Sequence, residues 1–309
     1  GKRASGTSRQ RVHPDKRQEA YPRPTDMAIK KDTDMIVDKD TNQVFVSEWL
    51  PKVHPAFFSR FSELLKNVHI NMTLLSNTAD IWCRDYMPIQ LAEEDFLQYR
   101  YYPDYLTKKE SDKQYITDSK SVCNALKLPN IQATDLIIDG GNVVKAHDCI
   151  IMTEKVFYEN AQYPQAEVLN ELEHLFHCEV IMLPWDKYEK YGHADGIVKP
   201  IDESRLLMTN YADYDQELAE EFERRLGTRF RIEKLHYHVQ RADKRNWAYI
   251  NFLQVGNNIV LPAINIEEDE QAMEQIKTYY PSCNIYQLDS EEIIKQGGAL
   301  NCITWNIKK

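Results

Sequence analysis

From about residue 41 onward, apolar and polar positions repeat one order of elements five times: a short apolar strand, an amphipathic helix, a second strand, then a polar or glycine-marked segment leading into another strand. The first unit has strands over 43–50 and 70–75 around a helix over 56–66, followed by the segment 80–90. The second runs from 96–102 through a helix over 113–126 to 135–144. The third has 149–157, a helix over 165–176, 179–184 and 191–200. The fourth has 205–211, a helix over 216–226, 231–237 and 247–255. The fifth has 258–264, a helix over 268–280, 284–288, a helical turn over 291–295, and 299–305. A period of roughly 50 to 56 residues marks a repeat architecture. Such modules cannot bury their apolar faces singly, so they are expected to pack around a common axis as one closed α/β domain. Periodicity alone equally permits an ordinary doubly wound α/β sheet.

Residues 1–40 read differently. Within the first 25, seven basic side chains (Lys2, Arg3, Arg9, Arg11, Lys16, Arg17, Arg23) face two acids (Asp15, Glu19), with almost nothing apolar to bury. This composition predicts a basic, disordered tail or tag over 1–40, and a single catalytic domain over 41–309. The tail's local charge of +5 within a total of -10 leaves the remainder at -15. An acidic body argues against a nucleic-acid binder and favours a small cationic ligand. No apolar run approaches the roughly 18 residues of a membrane span. The N-terminal region has no apolar centre of a secretory signal, which points to a cytoplasmic location, although the chain begins with Gly1 and its native start is open. Oligomeric state is left open, a homo-oligomer included. The six cysteines (83, 123, 149, 178, 283, 302) form no paired spacing and are expected to be mostly reduced and buried.

Glycine is scarce, 10 in 309, and seven (Gly140, Gly141, Gly192, Gly196, Gly256, Gly297, Gly298) fall in the late segments of the units. That distribution suggests backbone shaped at one recurring place, with routine turns as the plain alternative. The polar residues there are Asp85, Asp139, His193 with Asp195, Asn251 and Cys302. The steps 85 to 139, 139 to 193, 195 to 251 and 251 to 302 are 54, 54, 56 and 51 residues. In a ring of five modules such positions all face the axis, which would gather carboxylates, an imidazole, an amide and a thiol in one pocket. That set suits a Cys/His nucleophilic site with an anionic receptacle for a cation. Taken singly, Cys302 reads as a small core residue, Asp-Gly-Gly-Asn as a turn, and His-x-Asp as a hydrogen-bonded strand pair. A metal held by His193 and Asp195, by His236 and His238, or by His174 and His177 lacks the accompanying ligand spacing, so no metal is expected.

Together, Trp82-x-Arg84-Asp85, Asp139-Gly140-Gly141-Asn142, Gly192-His193-x-Asp195, Tyr249-x-Asn251-Phe252 and Gly297-Gly298-x-x-x-Cys302 resemble the agmatine deiminases and bacterial peptidylarginine deiminases of the guanidine-modifying superfamily. The resemblance covers roughly residues 41–309 and implies the five-bladed α/β propeller, or pentein fold. It implies hydrolysis of a guanidinium group, on a small guanidino substrate or an arginine-bearing peptide, to a ureido product and ammonia without any cofactor. Cys302 would be the nucleophile, His193 the general acid and base, Asp85, Asp139 and Asp195 the carboxylates holding the guanidinium, and Asn251 a supporting polar residue. The chain departs from the pattern at Asp139 (commonly Glu), Asn301 (often His), Lys199 (often Arg) and Met87 (frequently Gly). Amidino transfer, methylarginine hydrolysis and an inactive binding protein of the same fold stay open. For substrate choice, Arg241, Lys244 and Arg245 are candidates to meet a carboxylate, and Trp82, Trp185, Trp247 and Trp305 to wall an alkyl-guanidinium channel.

Overall fold

A computed structural model describes residues 35–309. The described chain forms five separate three-stranded sheets instead of one continuous sheet, so the doubly wound alternative falls. In each sheet the central strand pairs parallel to one neighbour and antiparallel to the other. The first sheet joins Trp305–Ile307, Gln43–Ser47 and Asn71–Leu75. The second joins Ile89–Gln90, Phe96–Arg100 and Ile131–Ile137, and the third Val144–Ala146, Cys149–Thr153 and Glu179–Leu183. The fourth joins Val198–Pro200, Arg205–Met208 and Arg231–Lys234, and the fifth Leu253–Val255, Asn258–Ala263 and Asn284–Asp289.

Parallel neighbours need a crossover, and amphipathic helices provide it. Pro55–Asn67 buries Phe57, Phe61 and Leu65, one stripe at i, i+4 and i+8, and starts on a proline, whose missing N–H costs nothing in a first turn. Gln165–Phe176 buries Val168, Leu172 and Leu175 in the same way. Gln216–Leu226 is capped by the Asp215 carboxylate, which accepts from the Leu218 N–H. Glu268–Tyr279 buries Ala272 and Ile276. The helix expected over 113–126 is broken: a 3₁₀ turn over Glu110–Tyr115 precedes a shorter helix over Ser119–Leu126, which the Asp118 carboxylate caps at the Lys120 N–H.

The five-fold count stands, but the unit boundaries move by one strand. The strand closing each sequence unit pairs with the first strand of the next: Ile89 lies opposite Leu97, and Val144 opposite Ile151. Short hairpins make these pairings, so each blade takes its inner strand from the unit before it. The last strand returns to the first, with Gln43 opposite Ile307 and Phe45 opposite Trp305, which closes the ring.

The expected boundary between tail and domain at residue 40 is also corrected. Ile36 and Val37 are buried, Met35 packs on the apolar core, and Asp38–Asp40 form a 3₁₀ turn whose Asp38 oxygens accept from Asn306 and from the Gly256 N–H. Apolar side chains at 35–37 supply the burial that the basic stretch lacks. The remainder of the expected tail, residues 1–34, lies outside the described residues.

Around the axis the five late segments touch in sequence. The Gly141 N–H donates to Asp85 Oδ1 at 3.1 Å, and the Ala194 N–H to Asn142 Oδ1 at 3.2 Å. Asn251 Nδ2 reaches the Asp195 carbonyl oxygen at 3.5 Å, the Asn301 N–H the Asn251 carbonyl at 3.0 Å, and the Arg84 N–H the Cys302 carbonyl at 3.2 Å. These bonds form a closed cycle through all five modules. Four of the segments are short helical turns, Cys83–Tyr86, Gly140–Asn142, Ala194–Gly196 and Asn246–Ile250, so the His-x-Asp sequence does not lie on a strand. One glycine leaves the pattern: Gly256 makes the hairpin turn between Leu253–Val255 and Asn258–Ala263, at φ 56°, away from the axis.

Candidate active site

The axial turns aim their side chains into one cavity of about 1100 Å³, whose wall includes Asp85, His193, Asp195, Asn251 and Cys302. All the sequence-predicted site residues except Asp139 reach it. Cys302 Sγ lies 3.2 Å from Asn251 Oδ1 and 4.0 Å from Asp195 Oδ2, and the Cys302 N–H donates to the same Asn251 oxygen at 3.3 Å. One Asn251 oxygen therefore accepts from both the backbone and the thiol of Cys302. Burial, with the Asp195 and Asp85 charges, pushes the Cys302 thiol well above its ordinary pKa and favours its protonated form.

The imidazole of His193 lies between two carboxylates. Its Nε2 is 2.9 Å from Asp139 Oδ2 and its Nδ1 is 3.6 Å from Asp85 Oδ1. Burial alone would lower its pKa, but the Asp85 charge, with the hydrogen bond and charge of Asp139, raises it to about 9. Asp85 is itself raised to about 6, by burial first and by the other carboxylates, against the pull of His193. Gly141 permits this approach, since a Cβ there would stand 2.7 Å from both Asp85 Oδ1 and His193 Nδ1. Tyr105 donates to Asp85 Oδ2 at 3.4 Å.

Asp139 is the correction among the site residues. It stands behind His193, absent from the cavity wall, with Oδ2 shared between His193 and Lys155 Nζ at 2.5 Å. Burial would raise its pKa, but Lys155 and His193 together hold it down at about 2. Its Oδ1 is buried without a hydrogen-bond partner among the described residues, so Asp139 orients and charges the imidazole through Oδ2 and does not line the cavity. The sequence reading missed Lys155, which is fully buried and also pairs with Glu159 at 2.9 Å and Asp104 at 3.4 Å. A lysine within Lys155-Val156-Phe157-Tyr158-Glu159, with a carboxylate four residues on, is the signal that was available, but it is equally the signature of a surface helix.

Of the four candidate tryptophans, Trp82 and Trp247 line the cavity, and Trp49, which the sequence did not single out, joins them. Trp185 packs on Tyr158, and Trp305 is core, its Nε1 donating to the Pro88 carbonyl. Arg241, Lys244 and Arg245 do not reach the cavity; Arg245 is held by Asp243 at 2.8 Å and Glu291 at 2.9 Å. His236 and His238 are exposed, with ring centroids 5.0 Å apart, and among the described residues no three His, Cys, Asp or Glu side chains are arranged to hold a metal ion. The other cysteines are free thiols, all buried except the half-buried Cys283.

The sequence pattern of the Porphyromonas-type peptidyl-arginine deiminases matches residues 17–307. The chain belongs to that family. It is thus a member of a hydrolase family acting on guanidinium C–N bonds, as its motifs imply. A Listeria monocytogenes protein with the provisional name agmatine deiminase 2 is 22% identical to it, with 74% of each chain aligned. The C. jejuni agmatine deiminase structure superposes with a TM-score of 0.70 at 17% identity, covering 89% of this chain and 96% of that one. The agmatine deiminase structure of Enterococcus faecalis gives 0.69 at 18% identity, covering 89% and 95%. These structural likenesses establish the five-bladed fold.

Proposed function

We propose that the chain hydrolyses the guanidinium of an agmatine-type substrate, one with no carboxylate beside its alkyl chain, through a covalent intermediate on Cys302. The observation that carries the substrate class is the charge of the cavity wall. Asp80, Asp186, Glu189 and Asp215 line it beyond the reaction centre, against Lys190 and His54, and no arginine lines it among the described residues. Asp80 has no cationic partner among them, and burial raises its pKa to about 7, so a second positive group on the substrate is welcome where a carboxylate is repelled. The free α-carboxylate of arginine would find no fork to receive it.

Asp85 and Asp195 grip the planar guanidinium by charge-assisted hydrogen bonds and turn its carbon toward Cys302 Sγ. The bound cation cancels the two charges that hold the thiol protonated, so Cys302 releases its proton to solvent as the substrate enters. The thiolate adds to the guanidinium carbon. His193, protonated at Nδ1 on its cavity side, gives that proton to a terminal nitrogen, and the C–N bond breaks to release ammonia. The resulting thiouronium is attacked by water, which loses a proton to the now neutral His193. Collapse breaks the C–S bond, and the proton of the remaining hydroxyl passes to the departing sulfur, which forms the ureido carbonyl and restores the Cys302 thiol. Asp139 and Lys155 keep His193 oriented throughout.

Steady-state kcat/KM with agmatine, free arginine and a peptide ending in arginine tests the substrate class. Agmatine is expected to lead by at least about tenfold, which corresponds to roughly 1.4 kcal/mol. A lead for either carboxylate-bearing compound would overturn the assignment; the cavity's size makes the peptide the informative rival.

The pH profile provides a second check. Asp85 must be ionised to hold the cation, so kcat/KM falls as the pH drops through about 6. His193 must be protonated to expel the amine, so kcat/KM also falls as the pH rises through about 9. A bell between these limits is expected, and its alkaline limb should move down when Asp139→Asn removes the charge beside Nε2. An unmoved alkaline limb would remove His193 as the acid.

A further inference from the structure

Behind Asp195, a second buried cluster links the reaction centre to the first described residues of the chain. Asn301 donates its Nδ2 to Asp195 Oδ2 at 2.8 Å and accepts at Oδ1 from Lys199 Nζ at 3.2 Å. Lys199, 5% exposed, directs Nζ to two other acceptors, the Phe252 carbonyl at 2.8 Å and Asp38 Oδ2 at 3.2 Å. An ammonium carries three N–H donors and no acceptor, so these three partners satisfy it completely. The contact also decides the orientation of the Asn301 amide. A flipped amide would set its NH₂ against the ammonium and its oxygen against the Asp195 carboxylate, two repulsive contacts in a buried site.

Asp195 Oδ2 takes a second amide from Asn251 Nδ2 at 3.2 Å. With two amide donors and, at 4.0 Å, the Cys302 thiol on Oδ2, and no protein donor on Oδ1 among the described residues, the carboxylate is held with one oxygen toward the protein and the other available to a ligand. Lys199 and Asn301 are two of the positions at which the chain departs from the motif pattern, and the structure brings them into contact.

We propose that Lys199 and Asn301 act as a coupled pair of positioning residues that fix the rotamer of Asp195 toward the guanidinium, with Asp38 of the N-terminal turn anchoring Lys199. The proposal rests on the reading of Asp195 as a guanidinium-holding carboxylate. Neither residue touches the substrate; both act through Asp195. Their loss should therefore harm what depends on a well-placed cation and spare the intrinsic reactivity of the thiol. A displacement of the order of 1 Å at a reacting centre costs up to about a hundredfold.

The test uses Asn301→Ala, Lys199→Met and the double variant, with two matched alkylating agents for Cys302. 2-Chloroacetamidine carries a cation that Asp85 and Asp195 would grip, and 2-chloroacetamide does not. Each single variant is expected to lose about 10- to 100-fold in kcat/KM for agmatine and in the chloroacetamidine rate, with the chloroacetamide rate within about twofold of wild type. The double variant should fall no more than about threefold below the worse single one, because a coupled pair is broken once. Single variants with wild-type kinetics, losses that multiply in the double variant, or equal slowing of both agents would each overturn the pairing. Should Lys199→Met not fold, Asn301→Ala leaves the Lys199–Asp38 ion pair in place and decides by the ratio of the two alkylation rates. A wild-type protein with no preference for chloroacetamidine at Cys302 would sink the guanidinium reading itself, whereas a normal preference that the variants leave unchanged sinks only the pairing.

Discussion

Replacing Cys302 by alanine is expected to lower kcat for guanidine hydrolysis by at least about a thousandfold while the fold survives, since no other group in the cavity wall can form the thiouronium. The thiol's contacts are few: Asn251 Oδ1 at 3.2 Å and, more distantly, Asp195 Oδ2. Thermal melting should therefore change little. In the unmodified protein a haloacetamidine should label Cys302 ahead of the other five cysteines, four of which are buried. Burial first, with the Asp118 charge at Cys123 and the Asp148 charge at Cys149, pushes both thiols up to about 12, and neither lines the active-site cavity. Near wild-type turnover in Cys302→Ala, or mass mapping that finds the label elsewhere, would end the assignment.

Asp85→Asn and Asp195→Asn should each lower kcat/KM by about a hundredfold or more for every cationic guanidine, because each removes a charge that binds the group undergoing reaction. Stability should move the other way at Asp85. Its carboxyl titrates near 6 in the folded protein, against an ordinary value of 3.8, so the folded state disfavours the charged form. Above that pH the ionised carboxylate costs the fold roughly 3 kcal/mol, a cost absent below the unfolded value. An asparagine oxygen still accepts from the Gly141 N–H, and the variant should melt at an equal or higher temperature at pH 7. Lost activity with an unchanged or raised melting temperature is the expected pair of results. Full activity in either variant would take that carboxylate out of the site.

Most of the architecture was legible in the pattern of apolar positions. Helices over 165–176 and 216–226 coincide with the sequence reading, because a stripe such as Val168, Leu172 and Leu175 has one face to bury and a capping residue such as Asp215 marks where it starts. The helix over 113–126 did not appear whole, since its polar first half has no apolar stripe to hold it against the sheet. Unit boundaries slipped by one strand because strands of two or three residues, such as Ile89–Gln90, are too short to announce which neighbour they pair with.

The sequence by itself determined the five-fold repeat, and with it the gathering of Asp85, His193, Asp195, Asn251 and Cys302. Residues at equivalent positions of equivalent modules must meet if the modules close on an axis, and local periodicity carries that information. Tertiary structure alone decided how those groups divide the work. Asp139 occupies an equivalent position yet turns away from the cavity, because buried Lys155, 16 residues on, captures its carboxylate from behind. Asp195 is steadied by Asn301, 106 residues away, and through it by Lys199 and Asp38. Charge and hydrogen-bond partnership depend on distances between atoms whose separation along the chain has no period. Which carboxylate faces the cavity and which pairs with the imidazole is thus decided only when the ring closes and each buried charge must find its partner.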